Sequence, residues 1–301
     1  MLGAPTQDHP RRSRFGRSLL AFALLGALVA VVPNQPVTAA DGDIGFEGPA
    51  FPSAAGEVTG EKPESKLWWN DGIWWASMWD ATLGGYRIHR LNVSSQAWIS
   101  TGVAIDARAD SRADALWDGS KLYVASHVFS ENAGVGTAAS APRLWRYSYS
   151  PTSGAYTLDA GFPVVISSAN DRVEALTIAK DSTGQLWATW TRGGAVYVTQ
   201  TTNAAQTTWG APAAINDAPV ASDDISAVVS FGSNVGILWS NQRTLAGSTF
   251  FHFATHADSA GDDTSTWSPD RTATSGPSEA DDHINLKLQS SGGTIYAAVK
   301  T

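Results

Sequence analysis

Short apolar runs separated by glycine turns recur along this chain. In each recurrence a polar or charged pair opens an apolar run, a Gly-containing turn follows, and a second run carries an aromatic residue beside a small one. The clearest example has Asp71-Gly72 between Leu67-Trp68-Trp69 and Ile73-Trp74-Trp75. Because Asp-Gly between runs of aromatic and β-branched residues is a strong β-hairpin signal, the pattern predicts paired antiparallel strands.

The small residue of the second run marks five copies of this unit: Ala76, Ala125, Ala188, Ser240 and Ala298. A period of about 50 residues matches one four-stranded blade of a β-propeller. Residues 171–180 also fit a helix in part, but their alignment with the other units favours a strand. The sequence therefore predicts an all-β fold over residues 63–301, a β-propeller of four-stranded antiparallel blades.

The number of units predicts an incomplete ring. About four and a half blades are present, because Thr301 directly follows the second run of the fifth unit. An open propeller leaves unpaired sheet edges, so we expect a truncated propeller of six or seven blades.

The N-terminal segment predicts export. Four arginines within residues 11–17 precede an uncharged run from Leu19 to Val32 and small residues ending at Ala40. This run is shorter than the roughly 20 residues that span a bilayer, so residues 1–40 are predicted to be a cleaved signal peptide. We expect a secreted, extracellular bacterial protein with no membrane span after cleavage. Residues 41–62, rich in Gly, Pro, Glu and Ser, are predicted to be an extended lead-in.

The composition of the chain excludes several classes of chemistry and of partner. The absence of Cys excludes disulfides, thiol catalysis and Cys-ligated zinc, and the formal charge of -8 argues against nucleic acid as a partner. The chain has no His-Glu-x-x-His, phosphate-cradling Gly-Lys-Ser/Thr or dinucleotide motif, so we expect no cofactor and no metal. The pairs Asp223-Asp224, Asp262-Asp263 and Asp281-Asp282 could contribute to calcium sites, but no spacing matches a known calcium loop, so they are interpreted as turn caps and a calcium requirement is left open. The oligomeric state is left open.

Polar residues open the repeated units. In a propeller the innermost strand of each blade lines the central funnel, so residues at its start converge on one face. These positions hold Lys66, Arg112, Asp114, Arg172, Glu174, Asp224, Ser226, His283 and Asn285. Such a ring of guanidinium, carboxyl, amine and imidazole groups suits an anionic, hydroxyl-rich ligand, and we expect an extracellular glycan or polysaccharide, acidic or neutral. The competing interpretation is structural ion pairing, Arg112 with Asp114 and Arg172 with Glu174.

Two reactions fit this ring. Hydrolysis of a glycosidic bond needs one protonated carboxyl and a second group as nucleophile or base, and the candidates are Asp114, Glu174 and Asp224. Elimination needs a base beside a uronate whose carboxylate an arginine neutralises. The candidate bases are His127, His283, Tyr86 and Tyr123, with Arg112 or Arg172 as the arginine. The residues predicted to bind substrate are Lys66, Arg112, Arg172 and Asn285.

The 13 tryptophans are interpreted mainly as packing between neighbouring blades, because several recur at one position of the repeat. Trp68-Trp69 and Trp74-Trp75 differ, since adjacent strand residues face opposite ways and one ring of each pair faces outward. We assign Trp68 and Trp75 as the rings that stack on a sugar. A propeller that binds a glycan through this hairpin without turnover is an alternative to an enzyme.

Two segments resemble the box Ser-x-Asp-x-Gly-x-Thr-Trp of the sialidase-like β-propellers, which lies between the third and fourth strands of a blade. Ala260 to Trp267 retains Asp262, Thr266 and Trp267, and Thr202 to Trp209 retains Thr202, Thr208 and Trp209. Neither keeps the Gly, and the Arg-Ile-Pro motif of true sialidases is absent. The resemblance implies a secreted, sialidase-like glycoside hydrolase. The same architecture is similar to that of propeller-type polysaccharide lyases, which is the alternative.

Overall fold

The structure is a computed structural model. It describes residues 48, 50–52, 54, 58, 62–131, 134–168, 171–245, 248–274, 280–289 and 293–301. These residues belong to one compact unit, Phe46–Thr301. The predicted signal peptide and most of the predicted lead-in lie outside the described residues. Within the described ranges, no helix is long and apolar enough to cross a membrane. Helical structure there is limited to three short 3-10 turns, Ala138–Ser140, Asp258–Ala260 and Thr264–Thr266.

The strands form five successive antiparallel sheets and one extra strand pair. The first sheet contains β1 (Leu67–Asn70), β2 (Ile73–Asp80), β3 (Gly85–Asn92) and β4 (Ala97–Ala104). The second contains β5 (Ser111–Trp117), β6 (Lys121–Val128), β8 (Arg143–Ser150), β9 (Ala155–Leu158) and β10 (Val164–Val165). Between β6 and β8, β7 (Gly134–Val135) pairs instead with β11 (Asp171–Arg172).

The remaining three sheets continue the same order along the chain. The third sheet contains β12 (Leu176–Lys180), β13 (Leu186–Arg192), β14 (Ala195–Gln200) and β15 (Ala213–Ala214). The fourth contains β16 (Ser226–Phe231), β17 (Asn234–Leu245), β18 (Ser248–Ala257) and β19 (Arg271–Thr272). The fifth contains β20 (Ile284–Leu288) and β21 (Ile295–Val299).

The predicted fold class is confirmed. The first four sheets each have four or five strands and the fifth has two, which corresponds to the four and a half blades expected from the repeat. Residues 171–180 contain β11 and β12, so the strand interpretation of this segment is also confirmed. The larger ring of six or seven blades stays a prediction.

The first hairpin forms for the reason that its sequence indicates. Asp71 and Gly72 both have positive φ, 52° and 76°, as a type I′ turn requires. The turn sets a register in which Trp68 pairs with Trp75 and Trp69 pairs with Trp74. The two rings of each pair therefore lie on the same face of the sheet.

Apolar clusters fill the spaces between successive sheets. Strands β1, β5, β12, β16 and β20 pack side by side in that order. Four separate clusters of buried residues join each sheet to the next, and they include Trp75, Trp187, Trp190 and Trp239. These tryptophans are packing residues, as the repeat predicted. The strands that begin each sheet therefore form the innermost layer and start at the same end of a shared axis.

Candidate functional site

Buried charged groups meet at the end of the axis where the inner strands begin. The segment ahead of β1 crosses this end, because Lys62 contacts residues ahead of β12 and β20, and Glu64 contacts β6 and β12. We use the name carboxyl cluster for Lys62, Glu64, Lys66, Asp114, His127 and Glu174. Every one of these side chains is buried.

Glu64 is the most completely paired member of the carboxyl cluster. Its Oε2 accepts a hydrogen bond from Lys66 Nζ at 3.0 Å, and its Oε1 accepts from the backbone N of Leu176 at 3.1 Å. Nε2 of His127 also contacts Oε1. Burial by itself would raise the pKa of Glu64, but Lys66 and His127 outweigh it and lower the pKa to about 2. Glu64 is therefore ionised at neutral pH.

The surroundings of Glu174 shift its pKa in the opposite direction. Its Oε1 lies 2.9 Å from Lys62 Nζ, which also contacts Asp282. Its Oε2 has no hydrogen-bond partner among the residues that the structure describes. Burial raises the pKa of Glu174 to about 7, although Lys62 acts in the other direction. Glu174 therefore retains a proton at mildly acidic pH.

Asp114 lies deeper along the axis and joins three sheets. Its Oδ1 accepts from the backbone N of Ser65 at 2.6 Å and its Oδ2 accepts from the backbone N of Ile178 at 2.9 Å. Burial raises the pKa of Asp114 to about 7, in spite of these two hydrogen bonds. Asp114 therefore links neighbouring inner strands through hydrogen bonds to their backbone.

The cluster combines carboxyls whose environments separate their pKa values. Glu64 is ionised at neutral pH and Glu174 can hold a proton there, and a pair of carboxyls that differ in this way is what general acid and base chemistry uses. Sequence reasoning proposed Glu174 and Asp114 but missed Glu64. The sequence signal that could have identified Glu64 is the alternation of Lys62, Glu64 and Lys66 directly ahead of an apolar strand. Polar residues also precede the third inner strand, where Glu174 was identified.

Asp224 is held by hydrogen bonds from backbone amides. It accepts from the backbone N of Ala221 at 2.5 Å and from that of Gln242 at 3.1 Å, and it is fully buried ahead of β16. Burial raises the pKa of Asp224, while these hydrogen bonds lower it. The structure thus gives Asp224 a loop-capping position.

The two candidate histidines differ in exposure. His127 is fully buried, and its Nδ1 has no hydrogen-bond partner within the described part of the chain. His283 is half-buried, with Nδ1 2.8 Å from Asp282 Oδ1. Tyr86 is a poor candidate base, because burial raises its pKa to about 12. Tyr123 is buried as well.

The predicted substrate-binding residues are spread over different surroundings. Lys66 contacts Glu64 and donates to the backbone O of Ala113 at 2.6 Å. The Arg112 guanidinium is buried 3.5 Å from the ring centroid of Phe129. Arg172 donates to the backbone O of Phe129 at 3.1 Å and borders a separate cavity of about 400 Å³. Asn285 is exposed on β20.

The assignment of Trp68 and Trp75 as outward-facing rings is wrong. Both are buried, because their face of the hairpin packs against the second sheet, where Trp68 Nε1 donates to Tyr156 Oη at 2.9 Å. The exposed rings are Trp69 and Trp74, at 52% and 43% exposure. Their centroids lie 5.4 Å apart in an edge-to-face arrangement.

All five inner strands border one cavity of about 330 Å³, which we call the axial cavity. Its lining includes residues 67–69, 114–117, 177–178, 227–228 and 286–287. Pro63, Ser65 and Asp114 border it near the carboxyl cluster, and Trp69 and Trp74 border it where β1 ends. The axial cavity therefore runs from beneath the cluster toward the far end of the axis.

The two segments that resemble Asp-boxes lie where that motif is expected. Thr202 to Trp209 connects β14 to β15, and Ala260 to Trp267 connects β18 to β19, so each joins the third and fourth strands of its sheet. Both are held by local hydrogen bonds, Asn203 Oδ1 accepting from Thr207 N at 2.9 Å and Asp263 Oδ1 from Ser265 N at 3.0 Å. These contacts give them a structural role.

No family model matches the chain, and no curated protein matches it. Among solved structures, the GH43 endo-arabinanase from Bacillus licheniformis is 11% identical, over 81% of this chain and 95% of that chain, with a TM-score of 0.43. The α-L-arabinofuranosidase from Lactobacillus brevis is 13% identical, over 82% and 83%, with a TM-score of 0.46. The endo-arabinase from Bacteroides thetaiotaomicron is 12% identical, over 80% and 89%, with a TM-score of 0.45. The sialidase-like resemblance stays a prediction.

Proposed function

We propose that this chain is a secreted glycoside hydrolase that cleaves extracellular glycan at the carboxyl cluster, with Glu174 as general acid and Glu64 as the ionised partner. The observation that carries the proposal is that two buried glutamates from segments ahead of two different inner strands share neighbours. Oε1 of Glu64 accepts from the backbone N of Leu176, two residues beyond Glu174, and Glu174 pairs with Lys62, two residues before Glu64. The ring of strands thereby joins the segments that carry two carboxyls of opposite character.

The reaction proposed for Glu174 and Glu64 is hydrolysis of a glycosidic bond. Glu174 transfers its proton to the glycosidic oxygen as the bond to the anomeric carbon breaks. Glu64 either takes a proton from the attacking water or attacks the anomeric carbon itself, and water then completes the reaction. Lys62 has to move away from Glu174 for substrate to reach it, because the two groups are paired and buried.

The charge balance of the site favours neutral sugars over sialic acid or uronates. Among the residues that the structure describes, the carboxyls of Glu64, Glu174 and Asp282 pair with two amines, Lys62 and Lys66, and with the imidazole of His127. An anionic sugar placed among these carboxyls would be repelled whenever they ionise. The sialidase-like specificity implied by the resemblance is therefore the less favoured form of the proposal.

Glycan binding without turnover is the second candidate function. The observation that favours it is the Lys62–Glu174 ion pair, since both side chains are buried and each already has an oppositely charged partner. In that case the carboxyl cluster would only fix the sheets relative to one another.

The test is turnover by the mature protein on three groups of polysaccharide: neutral arabinan, xylan and galactan, sialylated glycans, and uronate polymers. Release of reducing sugar from a neutral polymer supports hydrolysis, and new absorbance near 235 nm, roughly where unsaturated uronates absorb, would indicate elimination instead. Glu174→Gln and Glu64→Gln should each lower the rate at least about 100-fold.

The matched control is Asp258→Asn, which alters another buried carboxyl, in the 3-10 turn after β18, that accepts from the backbone N of Ser182 at 3.0 Å. Its specific rate should equal that of the wild type. Wild-type protein that binds a polymer but releases no product would establish the binding function instead. A Glu174→Gln variant with full activity would remove Glu174 from the mechanism.

A further inference from the structure

The axis carries a second feature at the end opposite the carboxyl cluster. We propose that the far end of the axial cavity, bordered by Trp69 and Trp74, is a binding site for a neutral saccharide. This site is distinct from the cluster at Glu64 and Glu174, and its existence does not depend on the proposed hydrolysis.

Two exposed indole rings form the wall of this site. Trp69 and Trp74 are cross-strand partners on β1 and β2, with 52% and 43% of their surface exposed. The rings are inclined by 71°, so they present two apolar surfaces at an angle. Leu67, on the same face of β1, is exposed beside them. Contiguous exposed apolar surface of this kind in a folded protein marks a binding region.

The opposite walls supply polar groups. Ser65 borders the cavity on its inner side, and Lys287, which is exposed, borders it from β20. A hydroxyl and an ammonium group around an aromatic wall match the two surfaces of a sugar ring, whose C–H groups stack on indole while its hydroxyls form hydrogen bonds. Asp114, the one carboxyl of the lining, is buried and already accepts two backbone hydrogen bonds, so it does not contact the ligand in this proposal.

The dimensions fit a saccharide. The cavity volume of about 330 Å³ lies at the lower end of the range for small-molecule sites, roughly 300–1,000 Å³. A further space of about 550 Å³ adjoins it, sharing Leu116, Ile178 and Val228 and extending to Asp118 and Lys180. Together they accommodate the end of an oligosaccharide chain with more of the chain lying toward solvent.

An uncovered packing surface is the competing explanation for these rings. Trp69 and Trp74 lie on the face of the first sheet opposite to the one that packs on the second sheet. A surface that only awaits protein packing would show no affinity for sugar, and a saccharide site would show affinity that depends on the aromatic rings.

The test is isothermal titration calorimetry with soluble neutral oligosaccharides derived from xylan, arabinan and cellulose. We expect binding of at least one of them to the wild type, and Trp69→Ala/Trp74→Ala should weaken that binding about tenfold or more. Trp69→Phe/Trp74→Phe should retain most of it, because the aromatic faces remain. Leu83→Ala is the matched control, since Leu83 is 51% exposed in the turn after β2 and should bind as the wild type does.

Glu174→Gln separates this site from the proposed catalytic centre, because it should bind the oligosaccharide as tightly as the wild type while losing turnover. Unchanged affinity in the double alanine variant would overturn the proposal. So would the absence of binding by the wild type to all three oligosaccharide classes at millimolar concentration.

Discussion

The Nζ atom of Lys62 lies 2.9 Å from Oε1 of Glu174, so a residue ahead of the first sheet partly neutralises a carboxyl ahead of the third. The same ammonium contacts Asp282, ahead of the fifth sheet. One short segment thereby connects three sheets that are far apart in sequence. The charge state of Glu174 should consequently affect both the stability of the ring and any reaction at the cluster.

Lys62→Met should destabilise the protein more at pH 8 than at pH 5. Glu174 has a pKa of about 7, so it is mostly ionised at pH 8 and mostly neutral at pH 5. Removing Lys62 therefore leaves Glu174 as a buried charge without this partner at the higher pH and as a mostly neutral carboxyl at the lower pH. Breaking a buried ion pair costs about 3–5 kcal/mol, and we expect the loss at pH 8 to approach this range. Urea unfolding at both pH values measures the difference. Lys300→Met, which removes a more exposed ion pair with Asp281, is the control and should change stability by less than about 1 kcal/mol. An equal loss at both pH values would contradict the prediction.

The wild-type protein should become less stable between about pH 4 and pH 7 through Glu174 and Asp114. Both have folded-state pKa values of about 7, above those of carboxyls in an unfolded chain. In this interval the folded protein holds protons that the unfolded chain has released, so the stabilisation is complete at low pH and is lost as pH rises through about 7. The free energy of unfolding should fall by a few kcal/mol, on the order of 1.4 kcal/mol per unit of pKa difference for each group. Glu174→Gln should reduce this slope, and a slope that does not respond to it would argue against a protonated Glu174.

His127→Phe should be strongly destabilising at neutral pH. The substitution removes the imidazole that contacts Oε1 of Glu64 and leaves a buried, ionised carboxylate with fewer partners. The expected cost is about 3–5 kcal/mol in chemical denaturation. His283→Gln is the matched change at a half-buried histidine and should cost less than about 1 kcal/mol. Similar losses in the two variants would mean that the His127–Glu64 contact contributes little.

Trp75→Ala and Trp69→Ala should differ sharply in stability although the residues lie on neighbouring strands. Trp75 is buried against Tyr156, with ring centroids 5.0 Å apart, so its removal leaves a cavity and should cost about 3–5 kcal/mol. Trp69 is half exposed, and its removal should cost less than about 1.5 kcal/mol. Thermal unfolding of the two variants beside the wild type is sufficient to compare them. Equal shifts in Tm would contradict the assignment of the two faces.

The fold was largely accessible from sequence because local chemistry determines it. The positive φ values of Asp71 and Gly72 are those that an Asp-Gly hairpin demands, and the same logic located the inner and second strands of each unit. The choice of exposed tryptophans failed for a different reason. Alternation states that Trp68 and Trp69 face opposite ways, but only the position of the second sheet decides which of them is covered.

The candidate site was accessible only in part. Asp114 and Glu174 lie inside the repeat and were predicted to converge, whereas Glu64 precedes the first repeat. Its role depends on contacts with His127 and with the backbone of Leu176, more than sixty residues away in sequence, as the separations of 63 and 112 positions show. No local pattern encodes such contacts.

The position of Asp114 has a consequence for the backbone around it. Its two oxygens hold the amides of Ser65 and Ile178, which belong to segments on either side of β5 and not to one hydrogen-bonded ladder. The exchange of these two amide protons with solvent therefore depends on their hydrogen bonds to an acid side chain and not on hydrogen bonds to a neighbouring strand. At the two seams that Asp114 bridges, part of the bonding between sheets therefore follows the proton concentration, unlike the ladders within the sheets.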